Sequence, residues 1–168
     1  CKWSLFKNMK TPEKVVYHIV EWLMDYLKDS NMDGIVVGVS GGIDSAVTST
    51  LCSLTGAPVL CLEMEIHQDY KQVSRAQKHI EWLENKFKNV RHHNVSLTGV
   101  FNGFVNQVPK TDEKDAQLLS LANTRARLRM TTLYYFAALH RYLVAGTGNK
   151  VEDFGVGFYT KYGDGGVD

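Results

Sequence analysis

A doubly wound α/β fold, a parallel sheet with flanking helices, is the class this sequence predicts. Three observations carry it. Short unbroken apolar runs alternate with longer stretches of helical periodicity, the pattern of a parallel sheet covered on both faces. Two glycine-bearing stretches, Ser40-Gly-Gly-Ile-Asp-Ser45 and Gly146-Thr-Gly-Asn-Lys150, each follow directly on such a run. No repeat, low-complexity tract or linker divides the 168 residues, so a single domain over 1–168 accounts for the chain.

The elements follow in order. Thr11-Pro12 opens the first helix, with proline at the first helical position, where its missing N–H costs nothing. Val15, Ile19, Leu23 and Leu27 recur every fourth residue and predict an amphipathic helix over 12–29. Residues 1–10 ahead of it are expected to be flexible. The run IVVGV at 35–39 reads as a buried strand, and 44–54 as a helix through Ala46, Val47, Leu51 and Leu54 that stops at Gly56. Val59 to Met64 is a second strand. Helical spacing returns over 69–88, His93 to Leu97 reads as a third strand, and 98–108 as a short helix. After the polar stretch Pro109 to Asp115, a long helix reaches Arg141. Tyr142 to Ala145 is the fourth strand, with loop from Gly146 onward.

Hydrophobic residues make up 44% and charged residues 22%, ordinary proportions for a globular domain with a real core. Nineteen basic and 18 acidic side chains leave a net charge of +1, which gives no electrostatic ground for binding nucleic acid or an anionic membrane. No apolar run approaches the roughly 20 residues that a bilayer requires. Cys1, Cys52 and Cys61 are odd in number and lack metal-type spacing. Cys52 and Cys61 lie in apolar stretches and read as buried free thiols, so a reducing cytoplasm is the expected compartment. Asn94-Val95-Ser96 fits a glycosylation sequon, but nothing ahead of it reads as a signal peptide. The chain starts at Cys1 and stops just after Gly163-Asp-Gly-Gly166, inside loop chemistry, so the domain is expected to be incomplete at its C-terminus.

The stretch SGGIDS admits two readings. In one, Asp44 or Ser45 merely caps a helix after a tight turn. In the other, the glycines let backbone N–H groups approach an anion, the following helix adds its positive end, and the serine hydroxyls add donors. Asp44 fits the second reading if it holds a hard cation such as Mg²⁺ beside the phosphates. Neither GxxxxGK[ST] nor GxGxxG occurs. Gly146-Thr-Gly-Asn-Lys-Val151 misses the latter by its third glycine.

SGGIDS resembles the pyrophosphate-binding loop of the ATP pyrophosphatase superfamily, whose members adenylate a carbonyl oxygen with ATP and release pyrophosphate. The second half narrows this group. Asn123-Thr-Arg-Ala-Arg-Leu-Arg-Met130, the 146–150 stretch with Glu152, and Phe158-Tyr-Thr-Lys-Tyr-Gly-Asp-Gly-Gly166 together are similar to the NAD synthetase family. Ile66-His67-Gln68 with Gln72-Val-Ser-Arg75 adds to the match, which runs in order from about Pro12 to Asp168.

The resemblance implies an adenine nucleotide alpha hydrolase-like, Rossmann-like fold and an ammonia-dependent ligase. Such an enzyme would adenylate the nicotinate carboxylate of deamido-NAD with ATP. Ammonia would then attack the adenylate to give NAD, AMP and pyrophosphate, the last step of NAD biosynthesis. It assigns ATP binding to Gly38, Ser40, Gly41, Gly42, Asp44, Ser45, Gln68, Arg75 and Thr147. Mg²⁺ falls to Asp44 and Glu152. Deamido-NAD and ammonia fall to Arg125, Asn149, Lys150, Phe158, Lys161 and Asp164, with Asp44, Lys161 and Asp164 as the catalytic set. Arg125 and Arg129, four apart, can share a helix face, whereas Arg127 cannot join both. A homodimer is implied as well. Too little chain is present for a glutamine-hydrolysing domain, which leaves an ammonia-dependent enzyme or the synthetase part of a larger chain. Two alternatives stand beside this reading: another ATP pyrophosphatase, GMP-forming or tRNA-modifying, and a non-catalytic ATP-binding module.

Overall fold

The structure, a computed structural model of the chain, describes residues 11–151, 155, 160–164 and 166–168. Cys1, Glu152, Phe158 and Gly165 lie outside the described residues, as does the whole 1–10 segment for which flexibility was expected. The elements are α1 (Pro12–Ser30), β1 (Gly34–Gly38), α2 (Ile43–Leu54), β2 (Val59–Glu63), α3 (Tyr70–Lys86), β3 (Val90–Asn94), α4 (Thr98–Gln107), α5 (Lys114–His140) and β4 (Tyr142–Val144).

The four strands form one parallel sheet in the order β3-β2-β1-β4. Successive side chains of a strand point to opposite faces, and each face has its own helices. Ile35, Val37, Val59 and Cys61 pack with Leu27 of α1, Cys52 of α2, and Ala76, Ile80 and Leu83 of α3. Val36, Leu60, Leu62 and Val144 pack with Phe101 of α4 and Met130, Leu133 and Ala137 of α5. Each large side chain so buried contributes about 1.5–3 kcal/mol of transfer free energy. The predicted doubly wound class is therefore the observed one.

Cys52 and Cys61 are free and wholly buried, as their apolar context suggested, and burial pushes both thiols up to about 12. The third strand corrects the sequence expectation. It runs over Val90–Asn94 rather than 93–97, because its register is set by pairing Val59 with Val90 through Glu63 with Asn94. Only Val90 of this edge strand is buried. The apolar Val95 and Leu97 follow outside the strand, their amides donating to the carbonyls of Glu63 and Glu65 at 2.8 and 3.0 Å.

Chain direction across the sheet decides where a ligand can sit. From β1 the chain steps outward to β2 and β3, then returns through α5 to place β4 on the other side of β1. The strand order therefore reverses between β1 and β4, and the loops leaving their carboxyl ends diverge around a crevice.

Candidate active site

The loop leaving β1 lies at one wall of that crevice. Gly41 has φ +79°, and a Cβ there would collide with the Gln72 carbonyl oxygen and stand 3.2 Å from the Ala76 amide nitrogen, so the loop passes against the backbone of α3. Gly42 is the N-cap of α2, and no side chain caps that helix. Its first-turn amides are therefore available to an anion.

The two serines build the loop from inside. The Ser45 hydroxyl donates to the Gly42 carbonyl at 3.0 Å and accepts from the Ser40 amide at 3.2 Å. With its proton so used, it accepts from the Ser40 hydroxyl at 3.1 Å, and that hydroxyl accepts from the Gly42 amide at 3.3 Å. Ser45 is only 2% exposed, whereas Ser40 is open to solvent. Asp44, in the first turn of α2, accepts from Asn149 Nδ2 at 3.4 Å, which ties the loop after β1 to the loop after β4.

Between the two loops lies a cleft of about 230 Å³. Gly38, Ser40, Gln68, Thr147 and Asp164 line it, together with Arg129 and the apolar Met64, Met130, Leu133 and Val167. Five residues predicted from widely separated stretches thus meet at one opening. Arg75 stands behind the loop of residues 40–45 instead, with its Nε donating to the Gly41 carbonyl at 3.1 Å. Lys150 follows Asn149 and lies outside the cleft lining.

The arginines of α5 separate. Arg125 lies over the Phe101 ring, 4.5 Å from its centroid, outside the lining. Arg127 donates through Nε to the Lys161 carbonyl at 3.1 Å. Arg129 enters the cleft, with its Nε held by the Met64 carbonyl at 3.0 Å. Burial, with Arg125 nearby, works against its charge, and it has no carboxylate partner among the described residues. A half-buried guanidinium in that situation would be favoured by an anionic partner. Its sequence signal was available: Ala126, Met130 and Leu133 mark an apolar helix face, and Arg129 interrupts it.

Residues 160–164 dock on α5. The Thr160 hydroxyl donates to Asn123 Oδ1 at 2.9 Å, and Gly163 passes so close to Ala126 that an added Cβ would stand 3.0 Å from the alanine methyl. Asp164, which lines the opening, accepts from the Thr160 amide at 2.7 Å through Oδ1. Lys161 is exposed, with its Nζ 5.0 Å from the centroid of its neighbour Tyr162. Asp168, which the sequence did not single out, accepts from the Val144 amide at 2.9 Å and from the Tyr134 hydroxyl at 3.2 Å.

The family described as NAD synthase matches residues 15–168. Among characterised proteins, the NH(3)-dependent NAD(+) synthetase of Carboxydothermus hydrogenoformans is 46% identical over 80 residues, 48% of this chain and 32% of that protein. The enzyme of the same name from Sulfurisphaera tokodaii is 40% identical over 99 residues, 56% of this chain and 33% of its own. Among solved structures, the NMN synthetase of Francisella tularensis superposes with a TM-score of 0.83 at 32% identity, covering 94% of this chain and 63% of that one. The NH3-dependent NAD synthetase of Campylobacter jejuni gives 0.80 at 31% identity, covering 92% and 64%. The matched stretch spans about a third of either characterised relative, and less than two thirds of either solved structure is covered.

Proposed function

The chain belongs to the NAD synthase family, and from that premise we propose that the protein makes NAD by ATP-dependent amidation of deamido-NAD with ammonia. The observation that carries the proposal is the switch-point cleft, where the phosphate loop with its uncapped helix meets an anion-seeking Arg129 across one opening. A carboxylate is a poor electrophile. Transfer of AMP to its oxygen creates a leaving group that ammonia can displace.

The chain's own groups divide that work. The first-turn amides of α2 hold the ATP phosphates beside Ser40, and because the loop is braced by its own hydrogen bonds these amides meet the developing charge of pyrophosphate without reorganising. Gln68, beyond β2, faces adenosine, and Thr147 the phosphates from the β4 side. Asp44 would hold a hard cation through its carboxylate. The carboxylate chemistry fits Mg²⁺, which would neutralise polyphosphate charge there, with Glu152 as its second carboxylate. Arg129 receives the carboxylate or a phosphate of deamido-NAD. Asp164, tied down through one oxygen, uses the other to hold ammonium and take its proton. Lys161, Asn149, Lys150 and Phe158 complete the acceptor side, whereas Arg125, expected there from the sequence, is held over the Phe101 ring instead.

In an assay of the full-length protein, ATP, Mg²⁺, deamido-NAD and ammonium should yield NAD and pyrophosphate. Asp44→Asn should fold normally yet lose about 10²-fold or more in turnover. Pyrophosphate release that ignores deamido-NAD but answers to another carboxylate or carbonyl compound would overturn the assignment. The Francisella tularensis neighbour favours a second acceptor, the corresponding mononucleotide, and parallel reactions with the two acceptors separate them.

A homodimer is part of the proposal, supported by the exposed apolar side chains of α1 and α2: Trp22, Met24, Ile43 and Val47. Sedimentation of the full-length protein should give twice the chain mass, and a monomer at micromolar concentration would reject it. Residence in the cytoplasm is proposed on the two unpaired buried thiols. Among the described residues no helix is long and apolar enough to cross a membrane.

A further inference from the structure

We propose that His79 of α3 is a positioning residue for the phosphate loop, holding the first turn of α2 in place through Ser49. The inference rests on the reading of that loop as the ATP phosphate site. Residues 72, 75, 76 and 79 lie along one face of α3, at the spacing that stacks side chains turn upon turn. That face stands behind the loop. The Gln72 carbonyl and Ala76 amide crowd Gly41, and Arg75 donates to the Gly41 carbonyl. One turn further on, His79 Nε2 meets the Ser49 hydroxyl at 2.9 Å.

The direction of that bond follows from counting protons. Ser49 Oγ lies 2.7 Å from the Ser45 carbonyl and 3.1 Å from the Ala46 carbonyl, and a hydroxyl has one proton to give to either. With that proton given to the nearer carbonyl, the wholly buried Ser49 oxygen is left to accept from His79 in its Nε2–H tautomer. The relay runs from His79 to Ser49 to the Ser45 carbonyl. Ser45 is in turn the hub of the loop, bonded to the Ser40 amide, the Ser40 hydroxyl and the Gly42 carbonyl. The imidazole is fixed from its other side by stacking on Trp82, with ring centroids 5.7 Å apart and planes 26° from parallel. A rigid ring on a packed helix thereby braces the backbone whose amides face the anion, although His79 itself touches no ligand.

The test uses full-length protein, with Mg²⁺-pyrophosphate as the calorimetric probe and ATP and deamido-NAD kinetics beside it. His79→Leu keeps bulk and removes the donor, whereas His79→Gln returns an amide N–H at comparable reach. The expected result is that Leu weakens Mg²⁺-pyrophosphate binding and raises KM for ATP about five-fold or more, with KM for deamido-NAD unchanged, and that Gln restores most of the loss. Ser49→Ala, which cuts the relay from its other end, should reproduce the same loss and serves if the Leu variant does not fold. A variant that lowers Tm but leaves the dissociation constant and KM for ATP at wild-type values overturns the inference. Failure of the wild type to bind Mg²⁺-pyrophosphate or ATP overturns the reading of the loop and the inference with it. Wild-type binding that survives unchanged in both variants overturns the inference alone.

Discussion

At Gly41 two demands coincide, a φ of +79° and a packed backbone where a side chain would go. Gly41→Ala should therefore cost about 2–4 kcal/mol and separate the loop from α3. Denaturant unfolding of the variant measures the cost, and a wild-type midpoint would contradict the crowding. The placement of Ser40, Gly41 and Asp44 was legible in the sequence because its signals are local: a strand, a tight turn and a helix start within ten positions. Arg129 was harder to read. Two arginines one turn apart are equivalent by spacing, and which of them enters the cleft depends on Phe101, a ring from α4 that holds Arg125 elsewhere. Ser45 shows a similar limit. The sequence suggested a ligand donor, whereas the structure places its hydroxyl within the loop, buried and bonded to the Gly42 carbonyl. Burial of that kind is a tertiary fact.

Among the elements, helices with a clean apolar stripe were read to within a residue or two: 12–29 became Pro12–Ser30, and 69–88 became Tyr70–Lys86. The third strand was displaced because VRHHN has one buried residue and takes its register from β2, while the apolar signal sits in the connection after it. The same β2–β3 pair carries an electrostatic cost. Glu63 closes β2 with 4% exposure; its Oε2 meets Asn94 Nδ2 at 3.4 Å, and its Oε1 has no hydrogen-bond partner. Burial raises its pKa, Glu65 adds to the rise, and His92 opposes it. The unfolded chain therefore gives up this proton at lower pH than the folded one, so stability falls as pH climbs from the ordinary carboxylate range toward the raised value. Glu63→Gln should remove that slope and raise Tm at neutral pH by a few degrees, on the order of ~1 kcal/mol. Thermal unfolding between pH 4 and about pH 8 checks it, and parallel pH curves for the two proteins would refute it.

For the whole molecule, the alternation of strands and helices announced a doubly wound sheet, but not the strand order. Only the return of α5 across the sheet places β4 beside β1, and that one crossing brings loops about a hundred residues apart to a common crevice. The buried layer behind the crevice has a further use. Cys52 on α2 and Cys61 on β2 sit in the same layer as α3, unexposed and with thiols held neutral at physiological pH. A thiol reagent can modify them only when this layer opens, so the labelling rate at each cysteine, read by peptide mass, is a clock of local opening. Saturating ATP with Mg²⁺ should slow that clock at Cys52, by roughly 100-fold at 100 times the dissociation constant. An unchanged rate would mean that the layer opens without regard to the ligand. Two side chains outside the proposed chemistry thus become convenient reporters of it, because a nucleotide that gripped the loop would also stiffen the wall behind it.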